Sequence, residues 1–186
     1  MTRAAGRTPA RTTTTRAAVA RHSVWLLDAN LLIALTHAAH VHHTEAHAWF
    51  IERPDRAWAT CTLTQLAFVR LTSNPQVVGE TITPAQAMQA LAAMAARPQH
   101  AYWADAPEPL AMAALNSAAL VGHRQVTDAY LLGLAAHKGQ CLATLDRGLV
   151  SFAQAAGLAA HAELVGSAKT WAHQPVASCA VKRARR

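Results

Sequence analysis

The chain has 186 residues, with 17 Lys+Arg against 10 Asp+Glu, a formal charge of +7 and a pI near 10.2. Its length fits one domain of roughly 150 residues plus tails, and no apolar run reaches the ~18 residues of a membrane span, so a soluble, cytoplasmic protein is expected. Basicity of this size points to a nucleic-acid binder. However, nine of the basic residues sit in the tails: Arg3, Arg7, Arg11, Arg16 and Arg21, then Lys182, Arg183, Arg185 and Arg186. Without those nine, eight basic residues face ten acidic ones, so the body is slightly acidic. Cys61, Cys141 and Cys179 form no CxxC and cannot all pair, which argues against a disulfide framework and for a reducing compartment.

Residues 1–22 are Arg- and Thr-rich and read as a basic disordered extension, and 167–186 as a C-terminal basic tail. Between them, 23–166 alternates short apolar runs with amphipathic stretches, the pattern of a parallel sheet covered by helices. SVWLLDAN (23–30) is a buried strand, and LLIALTHAA and HHTEAHAWFIE are two helices broken near His40 and Val41. RAWATC (56–61) is a second strand, followed by a helix through LTQLAFVRLTSN. Thr83 caps a helix that has Pro84 at its first position and ends near Arg97. HAYWAD (100–105) is a third strand, with PEPLAMAALNSAAL expected as a helix after it. VTDAYLLGLAAHKG is a helix capped by Thr127 and ended by Gly139. CLATLD (141–146) is a fourth strand, GLVSFAQAAG a short helix and AELVG an edge strand. The fold class is α/β, one domain with a central parallel sheet of four to five strands.

The acids fall where such a sheet binds ligands, beyond the carboxyl ends of its strands. Asp28 closes the first strand and Asp146 the fourth; Asp128, at a helix start, reaches the same crevice if those strands are neighbours. Asp105 ends the third strand, but with Pro107 and Pro109 after it a capping role is the plainer reading. A single strand-end Asp is most often a turn former or helix cap. Three that converge repel one another unless a cation neutralises them, and ligands of oxygen alone suit Mg²⁺ or Mn²⁺ rather than zinc.

LLDANLLIAL (26–35), ATCTLTQLAFVRLTSNP (59–75), VTDAYLLGLAAHKG (126–139) and ATLDRGL (143–149) together resemble the PIN domain of VapC-type toxins from bacterial toxin–antitoxin pairs, over about residues 23–166. The resemblance implies a three-layer α/β/α fold, Mg²⁺- or Mn²⁺-dependent endoribonuclease activity, a homodimer and inhibition by a VapB-type antitoxin. By position, Asp28, Asp128 and Asp146 match the family's metal-site aspartates. One position departs: where the family commonly has Glu, as in LTENGFVR, this chain has Gln65. An amide oxygen brings no charge, so weaker metal affinity is expected.

On this reading Asp28 and Asp128 hold the main metal and Asp146 completes the shell, directly or through water. Asn30, Thr127 and Thr144 are candidates to orient those carboxylates, and Arg147 is a candidate contact to the scissile phosphate; ordinary capping is the plainer role for each of the first three. Arg53, Arg56, Arg70, Arg97 and Arg124 are scattered and read as solvated surface, while Trp49, Trp58 and Trp103 read as core. Apolar helix surface around 30–50 is the expected antitoxin groove.

Three rival readings are weaker. His37, His40, His42, His43 and His47 cluster, but Glu45 lies between His43 and His47 as HxExH, not the HExxH that places a base beside zinc. These histidines read as a polar helix start or a partner surface, with Glu45 within possible reach of the acidic crevice. A haloacid-dehalogenase-like phosphatase needs a second Asp at the place of Asn30. The remaining alternative is a non-catalytic PIN-like module that binds RNA or protein through an incomplete metal site, supported by Gln65 alone.

Overall fold

The computed structural model describes residues 24–52 and 57–166. The expectations for the two basic tails, for Cys179 and for Arg53 and Arg56 lie outside the described residues. Five strands form one all-parallel sheet: β1 (Val24–Leu27), β2 (Ala57–Cys61), β3 (His100–Trp103), β4 (Cys141–Thr144) and β5 (Ala162–Leu164). Seven helices connect them: α1 (Ala29–Thr36), α2 (His43–Ile51), α3 (Thr62–Thr72), α4 (Pro75–Val78), α5 (Pro84–Ala95), α6 (Gln125–His137) and α7 (Arg147–Ala155).

Alternation along the strands builds two cores. Trp25 and Leu27 of β1, with Cys141 and Ala143 of β4, face one layer, filled by Leu31, Leu32 and Ile33 of α1, Trp49 of α2, Phe68 of α3 and Leu91 of α5. Leu26 and Leu142, the residues between, face the other layer, with Leu131, Leu132 and Leu134 of α6 and Phe152 of α7. A strand buried on both faces has no polar alternate positions, which explains the near-continuous apolar runs of β1 and β4. The result is the three-layer α/β/α arrangement expected from the sequence. No helix among the described residues is long and apolar enough to cross a membrane.

The strand order β3-β2-β1-β4-β5 fixes where a ligand can bind. The chain winds outward from β1 to β2 and β3, then returns to lay β4 on the other side of β1. Connections leave in opposite directions at the β1/β4 boundary, so a crevice opens beyond their carboxyl ends. The required neighbourhood of the first and fourth strands is present, with Leu27 level with Ala143.

Two local expectations need correction. PEPLAMAALNSAAL forms no α-helix; it holds one 3-10 turn, Pro109–Ala111, and a string of turns. Pro107 and Pro109 interrupt its start. The Asn116 amide then donates to the Leu110 carbonyl (2.9 Å), and Ser117 Oγ accepts from the Ala119 N–H (3.2 Å), local bonds that compete with a helical ladder. Met112 and Ala114 are buried against α6, where a Cβ on Gly133 would lie 2.9 Å from Met112 Sδ. Thr127 is no cap either: α6 begins at Gln125, and Gln125 Oε1 accepts from the Val121 and Gly122 N–H groups (3.0 and 3.2 Å) instead. The sequence also gave no warning of α4, which Asn74 caps by accepting from the Gln76 N–H. Gly139, at φ +64, does follow the last turn of α6.

Candidate active site

Asp28 sits where β1 becomes α1. Its backbone stays extended, its N–H donates to the Ala143 carbonyl of β4 (3.0 Å), and its carbonyl accepts from the Leu32 N–H (3.0 Å). One residue therefore serves as last rung of the sheet and cap of the helix, and its side chain, 7% exposed, is aimed into the crevice by backbone it cannot leave. The Thr144 hydroxyl donates to Asp28 Oδ2 (2.8 Å) and accepts from the Asp146 N–H (3.0 Å). Thr144, fully buried at the end of β4, thus ties the first aspartate to the backbone of the third.

Asp146 caps α7. Its Oδ1 accepts from the Gly148 N–H at 2.6 Å and the Leu149 N–H at 3.4 Å. Glycine at 148 suits this turn, since a Cβ there would lie 3.0 Å from the same oxygen. Asp128 stands in the first turn of α6, half-buried. Burial pushes its pKa up to about 6, with the charges of Asp28 and Asp146 adding to the rise. Burial also raises the Asp28 pKa; the Thr144 hydroxyl and the Ala29 and Asn30 backbone oppose that rise, and Asp146 adds to it. All three carboxylates feel one another across the crevice.

The other sequence candidates divide. Asn30 is exposed, and it serves Asp28 through its backbone rather than its amide. Thr127 and Arg147 are exposed, and neither hydrogen-bonds the three carboxylates through its side chain. Gln65, half-buried on α3, gives its Nε2 to Thr60 Oγ1 (2.9 Å) rather than to any of them. Asp105 caps nothing: it accepts from Thr62 Oγ1 (2.9 Å) and from the Tyr130 hydroxyl (3.0 Å). Burial and that carboxylate push the Tyr130 pKa up to about 12. Trp49, Trp58 and Trp103 are buried as expected.

The histidine cluster has a structural task. The last carbonyls of α1 run out of helical partners, and histidine rings take two of them, His43 Nδ1 on Ala34 (2.8 Å) and His47 Nε2 on Leu35 (2.9 Å), while His37 Nδ1 adds to the Ile33 carbonyl (3.2 Å) that its own N–H already bonds. Glu45 pairs with His42 at 2.9 Å, not with the acidic crevice. The apolar residues of α1 are core, so the exposed apolar surface expected around 30–50 reduces to Val41 and Ile51.

Among the described residues, no three His, Cys, Asp or Glu side chains already form a metal-holding group. The donor chemistry nevertheless fits a hard divalent cation. Carboxylates raised by burial and further by one another's charge want a positive charge, and Mg²⁺ is commonly held by one or two carboxylates with water filling its octahedron.

An acidic crevice at the switch point of a doubly wound parallel sheet, with Asp28 buried in it, defines the class: an α/β/α enzyme-type fold with a candidate hard-cation site. No protein-family model matches the chain. It is similar to Ribonuclease VapC39 of Mycobacterium tuberculosis, 41% identical over 130 residues, covering 70% of this chain and 94% of that protein. Ribonuclease VapC29 of the same organism is 46% identical over 125 residues, 67% of this chain and 86% of that protein. Ribonuclease VapC38 is 40% identical over 129 residues, 69% and 89% of the two chains. With relatives this similar along nearly their whole length, the chain belongs to the VapC ribonucleases.

Sequence reasoning missed Thr60 and His100, whose side chains meet beside Gln65 at the β2–β3 boundary. The signal was faint: a polar residue at an inward position of an otherwise apolar strand.

Proposed function

We propose that the chain is the toxin of a type II toxin–antitoxin pair and cleaves RNA phosphodiester bonds as a Mg²⁺- or Mn²⁺-dependent endoribonuclease. The observation that supports this reading is the electrostatic coupling of the acids at the strand ends: Asp128 is pushed up to about 6 by burial and then by the charges of Asp28 and Asp146. Asp28 and Asp128 would hold the cation and Asp146 would complete its shell directly or through water. A bound cation would neutralise charge on the phosphoryl oxygens and acidify the water that attacks phosphorus.

The protein's own groups do the rest. The Thr144 hydroxyl, spent on Asp28 Oδ2, keeps the other carboxylate oxygen turned toward the crevice. Asp146 is held by two backbone N–H groups, so its position is set before any ligand arrives. Arg147, exposed at the start of α7, stands where a cationic fork can meet a phosphate. A VapB-type antitoxin is the partner that silences the enzyme, and the active form is a homodimer.

Purified protein should degrade RNA with Mn²⁺ or Mg²⁺, stop in EDTA and recover when Mn²⁺ is restored. Induction should arrest growth, and Asp28→Asn should relieve the arrest. Cleavage that persists in EDTA would sink the metal-dependent mechanism.

A further inference from the structure

Gln65 occupies the one site position where this chain departs from the acidic pattern, and a network beneath it accounts for the amide. Gln65 Nε2 lies 2.9 Å from Thr60 Oγ1, and Thr60 Oγ1 lies 2.8 Å from His100 Nε2. Thr60 is fully buried. The His100 ring stacks on Trp58 with centroids 4.5 Å apart, and it also hydrogen-bonds the Ala95 backbone.

The direction of each bond follows from counting protons. A neutral imidazole has one N–H. The Ala95 backbone contact, which raises the His100 pKa, is that of a carbonyl accepting this proton. Nε2 is then a lone pair, and Thr60 must donate its single hydroxyl proton to it. Toward residue 65 the Thr60 oxygen can only accept. An amide N–H answers it; a carboxylate has no proton to give. Burial, which lowers the His100 pKa, keeps the ring in the neutral form this chain of bonds requires.

With Nε2 committed, the orientation of the Gln65 amide is fixed, and no protein donor among the described residues takes its Oε1. The register puts Leu26 level with Ala59, so Thr60 lies abreast of Leu27 and just below Asp28 on the neighbouring strand. Gln65, on the helix that follows β2, meets Thr60 at that boundary.

We propose that Thr60 and His100 are positioning residues: they hold the Gln65 amide with its nitrogen inward, so that Oε1 accepts a hydrogen bond from the water that attacks the RNA phosphate. This rests on the ribonuclease reading of the acidic crevice. The interaction belongs to the step of attack, so its loss should lower kcat rather than raise KM.

The test is a double-mutant cycle on a fluorogenic single-stranded RNA oligonucleotide with Mn²⁺, with thermal melts to confirm folding. Thr60→Val, which keeps shape but loses the hydroxyl, should lower kcat about tenfold, and Thr60→Ser should retain most of the activity. In a Gln65→Ala background Thr60→Val should cost less than about twofold, because the residue it positions is gone. If Thr60→Val does not fold, His100→Phe, which keeps a ring on Trp58, takes its place in the cycle. Full activity of the single variant, additive losses in the double variant, or a loss confined to KM would each overturn the proposal. Asp28→Asn in the same assay separates the two readings. If it still cleaves, the acidic-site reading fails. If it is inactive while the cycle is additive, only the positioning role fails.

Discussion

Two carboxylates, Asp28 at the end of β1 and Glu163 on the edge strand β5, are treated in different ways. On β5, Glu163 accepts from two indoles: Trp25 Nε1 of β1 at 2.5 Å and Trp49 Nε1 of α2 at 2.9 Å. Neutral donors complement its charge, and the edge strand is stapled to both the sheet and a helix. Asp28, at the far end of β1, has the Thr144 hydroxyl and the Ala29 and Asn30 backbone as donors, but also other carboxylates for company. Within one fold, Glu163 is met by two indole N–H groups, whereas Asp28 and Asp128 are raised by burial and by neighbouring carboxylates. The contrast assigns roles better than burial does.

The sharpest way to break that contrast is to remove charge at each place and compare activity. Asp28→Asn and Asp128→Asn keep side-chain shape but remove a carboxylate charge from the proposed cation site, and RNA cleavage should fall on the order of 100-fold or more. Initial rates with saturating Mn²⁺ measure this. A Glu163 variant assayed below its melting temperature should cleave like the parent chain. Equal losses at Glu163 and Asp28 would erase the distinction.

How legible this was in the sequence depends on how far apart the partners lie. The strands were readable because runs such as VWLL and CLAT are apolar on both faces and end in polar residues. Asp28 and Asp146 were readable because a strand-to-helix turn needs a capping residue and the crevice opens there. Asp128 required one topological condition, β4 beside β1, which the structure meets. Glu163 was invisible: its donors are 138 and 114 residues away, and AELVG looks like any edge strand. Thr60 and His100, 40 residues apart, become partners only through the β2–β3 register. The 107–120 segment misled because apolar content suggested a helix while its prolines, Asn116 and Ser117 favoured turns.

The next largest effect belongs to architecture. Glu163→Leu removes the acceptor shared by Trp25 and Trp49, and loss of such hydrogen bonds should destabilise the fold by about 1–3 kcal/mol. Urea titration followed by indole fluorescence reads both the stability and the indoles' own environment. An unchanged midpoint would show that the staple is not a stability element.

Cation binding should sharpen the contrast from the other side. Because the folded crevice holds the acids together and the unfolded chain does not, Mn²⁺ at ten times its Kd should stabilise the protein by about 1.4 kcal/mol. Asp28→Asn should lose most of that gain, and Glu163→Leu should keep it, from its lower starting point. A gain that survives in Asp28→Asn would place the cation elsewhere.

The smallest effect is the pH dependence of the metal-free protein, and its sign is diagnostic. Asp128 titrates near 6 in the fold against 3.8 for a free side chain, and Asp28 is raised as well. A raised carboxylate pKa means that folding favours the protonated form. Its stabilising contribution is complete below 3.8 and is lost as pH climbs through about 6. In melts in EDTA the Asp128 contribution should therefore favour pH 5 over pH 7.5, against the opposite contribution of His40 and His100, whose pKa values burial lowers. Asp128→Asn should flatten the Asp128 contribution. Excess Mg²⁺ should flatten it by another route, since a cation supplies at neutral pH the positive charge that protons supply at pH 5. Proton and metal would then compete for one pair of oxygens, and metal affinity should weaken as pH falls through 6.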